Sequence, residues 1–380
     1  MSSAFLACAQ YLRCGLSLCV LSALVACSGT PQKHKPMALS PNAGLINVKQ
    51  VWATKVGEVT FPLNAQVSEQ RIAVANTAGV VMVLDAGTGS EVWRAEVGAS
   101  LAAAVGYDGQ VAAVVTRNNV LVALESGREL WRQQLTAQSY TAPLVAGGRV
   151  FVLAADRSVS AYDGQSGRRL WSQQRPGEAL VLRQPGVLLA VGDTLVTGLS
   201  GKLLGMNPLN GSIRWEAPIA SPRGTNDVER LVDLVGPAHR QGNVVCARAF
   251  QAAVGCADAS RGLLLWSKPG SGSVGLTGDD QWVYGVEADS SVIAWRRTDG
   301  ERAWSLEQLR YRDLSAPVVV GQSVVVGDGA GLLHFLSRDN GALQTRVSTD
   351  GSAIVAAPVW TGNTVVVVTR NGNIFGFRPE

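Results

Sequence analysis

The side chains best able to do chemistry are few and widely separated. Outside the first 26 residues the histidines are His34, His239 and His334. Their spacing suggests neither a metal site nor a Ser/His/Asp arrangement, so we interpret His239 and His334 as partly solvated strand residues. The Gly270-Ser271-Gly272 string lies in a turn with no strand-to-helix context, so it does not indicate a phosphate-binding loop. We therefore predict no catalytic residues, no metal and no cofactor.

Cys27 ends a segment that is typical of export. Arg13 precedes an apolar run, residues 16–26, which is too short to span a bilayer comfortably and ends in small residues. The sequence Leu24-Val25-Ala26-Cys27 matches the bacterial lipobox, where the signal is cleaved before a cysteine that becomes diacylated and N-acylated. The alternative is a simple signal peptide that happens to contain cysteine.

The residues after Cys27 read as a tether. Residues 28–36 are polar and show no apolar periodicity, and several acyl chains on one residue suffice for stable anchoring. Ser28 stands where an acidic residue would signal retention, which is typical of lipoproteins sorted to the outer membrane. We predict a signal peptide over 1–26, a lipidated tether over 27–45 and a folded domain over 46–380.

Cys246 and Cys256 flank a stretch that reads as two strands around a turn near Phe250 and Gln251. Directly opposed strand residues have Cβ atoms about 4.5–5.5 Å apart, which is close enough for a disulfide after slight adjustment. An exported chain meets an oxidising compartment. A disulfide and two free buried thiols remain alternatives.

A repeat with a tryptophan at its end runs through the rest of the chain. Its steps measure 38 to 51 residues, which is typical of repeat architectures. The clearest copies are Asp85-x3-Gly89-x3-Trp93, Asp163-x3-Gly167-x3-Trp171, Asn207-x3-Gly211-x3-Trp215 and Asp258-x3-Gly262-x3-Trp266. Weaker copies are Gly127/Trp131, Gly300/Trp304 and a degenerate Ser337, Gly341, Thr345, and Trp52 stands one period before Trp93.

Each unit reads as four short strands joined by tight turns. The middle strands, such as Val150-Phe151-Val152-Leu153, are continuously apolar, which implies burial on both faces. Such sheets are stabilised by stacking radially on copies of themselves. Residues 46–52 supply the strand that the last unit lacks. We therefore predict an all-β, eight-bladed propeller of four-stranded antiparallel blades, closed by an N-terminal strand.

The composition fits this fold and excludes one class of partner. Hydrophobic residues make up 47% and charged residues 16%, with 42 glycines, as in a folded chain rich in turns. The formal net charge is only +4, without the clustered basic face that nucleic acid binding requires.

A repeat of this form also resembles that of the quinoprotein dehydrogenases. Those propellers stack pyrroloquinoline quinone on a channel tryptophan and hold Ca²⁺ with a clustered Glu, Asn and Asp. Trp360 is the candidate channel aromatic here, but no matching set of acids and amide can be recognised around it. A periplasmic quinoprotein dehydrogenase is therefore the alternative function, and we expect a protein that is not an enzyme.

Function on a repeat scaffold is expected where the repeat is broken. Two connections between blades are long: residues 172–186, the first long connection, and residues 216–236, the second long connection. Both follow a framework tryptophan, so we expect them on one face of the propeller and close together. Leu180 and Leu182 could belong either to a partner-binding patch or to the core.

In these features the chain resembles the BamB family, the lipoproteins of the β-barrel assembly machinery, over essentially its whole mature length. In that family a Leu-x-Leu-Arg segment contacts the POTRA domains of the central subunit BamA, which implies partner-binding roles for Leu180, Leu182 and Arg183. A second family segment, Arg-Leu-x-Asp-x-Asp, matches residues 230–235. Its first acid is Asp233, and its second is replaced by Val235.

The resemblance implies a non-catalytic scaffold in the outer-membrane β-barrel assembly complex. Such a protein would be lipid-anchored at the periplasmic face of the outer membrane. It would bind BamA and assist delivery and insertion of unfolded outer-membrane proteins.

Overall fold

A computed structural model describes residues 34–177 and 180–380. The chain divides at Pro36 into two units, and every strand of the described residues belongs to the second unit, Met37–Glu380. The signal peptide, Cys27 and the tether up to residue 33 lie outside the described residues. No helix in the described part is long and apolar enough to cross a membrane.

In the described part of the unit Met37–Glu380, 32 β-strands form eight antiparallel sheets. In chain order the strands are β1 Val48–Lys55, β2 Gln66–Ser68, β3 Arg71–Ala75, β4 Val80–Asp85, β5 Glu91–Glu96, β6 Gly106–Tyr107, β7 Val111–Val115, β8 Val120–Glu125, β9 Arg128–Gln134, β10 Leu144–Ala146, β11 Arg149–Leu153, β12 Ser158–Asp163, β13 Arg169–Gln174, β14 Leu188–Val191, β15 Thr194–Leu199, β16 Lys202–Met206, β17 Ile213–Pro218, β18 Leu234–Gln241, β19 Val244–Ala249, β20 Ala253–Asp258, β21 Leu263–Pro269, β22 Leu276–Gly278, β23 Trp282–Val286, β24 Val292–Arg296, β25 Arg302–Leu306, β26 Val318–Val320, β27 Ser323–Gly327, β28 Leu332–Ser337, β29 Leu343–Ser348, β30 Val359–Trp360, β31 Val365–Val368 and β32 Asn373–Pro379.

The sheets form an eight-bladed propeller, which confirms the predicted fold. Blades 1 to 7 are β2–β5, β6–β9, β10–β13, β14–β17, β18–β21, β22–β25 and β26–β29, and blade 8 is β30–β32 with β1 as its outer strand. The closing strand was expected over 46–52 and is observed over Val48–Lys55, where Trp52 lies opposite Gly376. The core is divided into eight apolar clusters, one between each pair of neighbouring blades.

The framework tryptophans join neighbouring blades, as the repeat predicts. The indole N–H of Trp131 donates to Gly164 O at 2.8 Å, in the turn between the third and fourth strands of the next blade. Gly167 of that turn has φ +70°, and a Cβ there would lie 2.5 Å from the Trp131 ring. Glycine is therefore required both by the backbone conformation and by the close approach of the ring.

The repeated aspartates hold the same turns through hydrogen bonds to the backbone. Asp163 Oδ1 accepts the backbone N–H of Ser166 at 2.8 Å. In the equivalent turn of blade 5, the hydroxyl of Ser260 and then the guanidinium of Arg261 lower the pKa of Asp258 to about 2. These acids are structural, as the sequence indicates.

Residues 37–45, which the sequence assigns to the tether, pack on the outer strand of blade 7. Leu45 N donates to Gln344 O at 2.8 Å, and Asn42 exchanges hydrogen bonds with the backbone of Arg346. Leu39 packs against the apolar cluster between blades 6 and 7. The domain boundary at residue 46 stays a prediction.

Candidate partner-binding site

The two long connections meet on one face of the propeller. This face carries the connections between blades and the turns between the second and third strands of each blade, and we call it the connection face. Leu182 N in the first long connection donates to Asp233 Oδ2 in the second at 3.1 Å. Gly236 N donates to Pro185 O at 2.8 Å. The two segments therefore form one continuous surface.

Arg157, in the turn between β11 and β12, contacts both long connections through its guanidinium group. Its Nη2 donates to Leu180 O at 2.9 Å and its Nη1 to Ser200 Oγ at 2.8 Å. The same Nη1 lies 3.6 Å from Asp233 Oδ1, and the Arg157 side chain is only 7% exposed. One guanidinium thus contacts both long connections and the turn of blade 4.

The four residues that the sequence singles out differ in their exposure. Leu180 is 40% exposed, and Arg183 is also exposed. Leu182 is half-buried and lines a cavity of about 40 Å³. The Asp233 side chain is only 16% exposed, because its oxygens face Leu182 N and Arg157. Leu180 and Arg183 are therefore accessible to a partner, whereas Asp233 mainly positions the chain around Leu182.

Val235, which replaces the family's second acid, belongs to the buried core in this chain. It is 1% exposed and lies in β18 directly opposite Arg248 of β19. The guanidinium of Arg248 is buried and donates to Glu287 Oε1 at 2.9 Å. Burial lowers the pKa of Arg248, and the nearby Glu287 carboxylate opposes that shift.

The histidines do not form a catalytic or metal-binding cluster. His239 is half-buried in β18, and burial followed by the nearby charge of Arg297 lowers its pKa to about 4. His334 was expected to be partly solvated, which is wrong: it is fully buried. Its Nε2 lies 3.0 Å from Asp328 Oδ2, which also accepts from Arg312.

The carboxyl group of Asp328 is held by these contacts in its ionised form. Burial works to raise its pKa, but hydrogen bonds from His334 and the Leu332 backbone outweigh that effect and lower it. Within residues 34–177 and 180–380, no group of three or more His, Cys, Asp or Glu side chains could hold a metal ion.

The remaining predicted sites are placed as follows. Cys246 and Cys256 are directly opposed in β19 and β20 and are joined by a disulfide bond. Trp360 lies in the innermost strand of blade 8 and is half-buried against the cluster between blades 7 and 8. Cys27 and residues 178–179 of the first long connection lie outside the described residues.

Arg157 is the residue of this site that the sequence did not reveal. It lies in the turn between β11 and β12, where its φ is +65°. Blades 1, 7 and 8 place Gly79, Gly331 and Gly372 at the same turn position, each with positive φ. An arginine at a turn position where other blades have glycine is the feature of the sequence that could have indicated Arg157. A residue keeps such a strained conformation only where its surroundings hold it in place.

Comparison with known proteins shows close relatives over most of the chain. Residues 77–306 match the family model described as outer membrane protein assembly factor BamB. The chain is 37% identical to a protein of that name from Burkholderia pseudomallei, covering 95% of this chain and 97% of the relative.

Solved structures share the fold at lower sequence identity. The crystal structure of BamB from Moraxella catarrhalis superposes with a TM-score of 0.79 at 23% identity, covering 87% of this chain and all of that one. A quinohemoprotein alcohol dehydrogenase from Comamonas testosteroni superposes with a TM-score of 0.67 at 14% identity, covering 90% of this chain and 78% of that one. On its sequence relatives, its family match and its eight blades together, the chain belongs to the BamB family of outer membrane protein assembly factors.

Proposed function

We propose that this chain is a non-catalytic scaffold lipoprotein of the outer-membrane β-barrel assembly complex. Membership of the BamB family supports a role in outer membrane protein assembly. In our proposal the protein binds the periplasmic POTRA domains of BamA and helps to position unfolded outer-membrane proteins for insertion. Its relatives are named as assembly factors, which supports a role without catalysis.

The observation that carries this proposal is the joined surface of the two long connections. Asp233 accepts the Leu182 N–H and Arg157 donates to Leu180 O, so backbone contacts on both sides of Val181 hold the segment that carries the exposed Leu180 and Arg183. Leucine beside arginine on a pre-organised loop suits an anchor that buries apolar area and donates charged hydrogen bonds. Both side chains lie on the connection face, which the regular blades leave free of insertions.

Paired substitutions test the binding surface. We expect the double variant Leu180→Ala, Arg183→Ala, which truncates the two exposed side chains, to lose co-purification with BamA while keeping the wild-type melting temperature. The matched control is Arg261→Ala with Leu263→Ala, an exposed arginine and leucine in blade 5. If the control loses as much BamA as the test variant, or if the test variant unfolds, the assigned surface is wrong.

The lipid anchor is a separate part of the proposal. We propose acylation of Cys27 and attachment at the periplasmic face of the outer membrane. Cells labelled with a clickable palmitate should incorporate it into the wild type but not into Cys27→Ser, which should fractionate with the periplasm. Label retained by Cys27→Ser would contradict the assignment.

Cofactor binding tests the non-catalytic part. Purified protein titrated with pyrroloquinoline quinone and Ca²⁺ should show no saturable change in the fluorescence of its tryptophans. Tight stoichiometric binding would favour a quinoprotein dehydrogenase instead. Trp360→Phe would then show whether Trp360 is the stacking residue.

A further inference from the structure

A second, larger pocket opens on the connection face beside the long connections. It is lined by the first four blade-to-blade connections in the chain together with a turn of blade 2, and its volume is about 670 Å³. Arg183, Gln184 and Pro185 form one wall, and Tyr140 and Gln184 also line the small cavity beneath Leu182. The pocket is therefore continuous with the surface proposed to bind BamA.

Two arginines project from the pocket walls, each beside an aromatic ring. Arg117 Cζ lies 5.9 Å from the ring centre of Phe61, and Arg183 Cζ lies 5.5 Å from that of Tyr140. Both arginines are exposed. A ring that holds one face of a guanidinium fixes its position and leaves the N–H edge available for a planar acceptor.

The pocket carries positive charge that no described acidic residue compensates. Neither Arg117 nor Arg183 has an ion-pair partner among the described residues, and Arg117 uses only Nε for a long 3.4 Å bond to Leu101 O. Among the residues that the structure describes, no acidic one lines the pocket. Its other walls combine the apolar surfaces of Phe61 and Pro62 with amides that can pair with a peptide backbone.

We propose that this pocket binds an acidic segment of a protein partner, with carboxylates on Arg117 and Arg183 and apolar side chains against the rings. The proposal rests on the proposed function, because it extends the BamA-binding surface from Leu182 across the connections of blades 1 and 2. A peptide is favoured over a bare phosphate because only a peptide would also bury apolar side chains against Phe61 and Pro62 and donate backbone N–H groups to the amide oxygens. A volume of about 670 Å³ lies within the range of pockets that enclose a compact ligand.

Arg117 is the residue to substitute, because it lies outside the Leu-x-Leu-Arg segment. Arg117→Gln should weaken binding of purified POTRA domains about tenfold at low salt and reduce the salt dependence of binding. Arg117→Lys keeps the charge but loses the planar fork, so it should recover part of the affinity. Arg302→Gln, an exposed arginine on the outer strand of blade 6, is the matched control and should bind as the wild type does.

A fluorescent, end-blocked peptide of alternating glutamate and leucine tests the pocket directly. The wild type should bind it, Arg117→Gln should bind it at least fivefold more weakly, and the glutamine–leucine counterpart should not compete. The inference is overturned if Arg117→Gln binds the POTRA domains and the glutamate–leucine peptide within twofold of the wild type. It is also overturned if the neutral peptide or inorganic phosphate competes as well as the acidic peptide does. If the wild type binds the acidic peptide but not the POTRA domains, the proposed function fails and the pocket's chemistry stands.

Discussion

Asp233 offers a direct test of whether the candidate surface is positioned from within. Its carboxylate accepts the Leu182 N–H at 3.1 Å and faces Arg157 at 3.6 Å, yet little of it reaches solvent. Two substitutions separate these contacts. Asp233→Asn keeps an oxygen for the Leu182 N–H and loses the charge, whereas Asp233→Leu loses both.

The expected losses of stability follow from the distances. Unit charges 3.6 Å apart attract by about 1 kcal/mol in a water-like medium and by about 5 kcal/mol at an effective dielectric of 20. Because Arg157 keeps its bonds to Ser200 and Leu180, we expect Asp233→Asn to lower the free energy of unfolding by about 1–2 kcal/mol. Asp233→Leu also leaves the Leu182 N–H without its acceptor, which adds about 1–3 kcal/mol.

Binding distinguishes positioning from direct contact. Guanidinium denaturation gives the stabilities, and calorimetric titration with purified POTRA domains gives the affinities. If Asp233 acts by holding Leu182, Asp233→Asn should bind within about threefold of the wild type, and Asp233→Leu at least tenfold more weakly. Equal losses in the two variants would show that the carboxylate itself contacts the partner, and our reasoning would be refuted.

Three further predictions concern the scaffold. Gly167→Ala should lower the free energy of unfolding by at least about 2 kcal/mol, because an alanine at φ +70° is strained and its Cβ would displace the Trp131 ring, as urea denaturation would show. Between about pH 6.5 and 4, His239 binds a proton in the unfolded chain but not in the folded one, so acidification lowers the free energy of unfolding by roughly 3 kcal/mol. His239→Val should remove this loss, which denaturation at a series of pH values would measure. Replacing Cys246 and Cys256 together by alanine should cost about 2–3 kcal/mol, the entropy of a short closed loop, measured without reductant.

Each of these predictions has a matched control. Gly147→Ala also replaces a glycine of positive φ, but its Cβ would meet nothing within 4 Å, so it should cost clearly less than Gly167→Ala. Valine already occupies the position of His239 in blade 3, as Val145, so the variant should fold. A reductant should destabilise the wild type and leave the double alanine variant unchanged. A wild type whose stability does not change with reductant would show that the thiols are free.

The repeat made the framework predictable. Asp163, Gly167 and the tryptophans recur at fixed spacing because each interacts only with its own turn or with the neighbouring blade. A constraint repeated in every blade appears in the sequence as a period. The blade count, the order of the strands and closure by β1 all follow from that period.

The contacts inside the candidate site could not be predicted from the repeat. Arg157, Leu182 and Asp233 are separated by 25 and 51 residues in the chain, and they meet only because neighbouring blades bring their connections together. Spacing alone could indicate that both long connections share a face. It could not show that Asp233 faces inwards, because that depends on where one arginine side chain lies.

The single unit that has lost its tryptophan is explained by the way the ring closes. The indoles of Trp52, Trp131, Trp171, Trp266 and Trp304 each donate to a carbonyl in the turn between the third and fourth strands of the next blade, which for Trp304 is Arg338 O. Blade 7 is followed by blade 8, whose third and fourth strands, β32 and β1, lie far apart in the chain and share no turn. A tryptophan at position 345 would therefore find no counterpart of the carbonyl that accepts from Trp304 or of the turn glycine that packs on the Trp304 ring, Gly341. Thr345 Oγ1 instead lies 3.5 Å from the amide of Asn42, which belongs to the segment that packs along β29. The loss of tryptophan from this unit therefore follows from the way the N-terminal strand closes the ring.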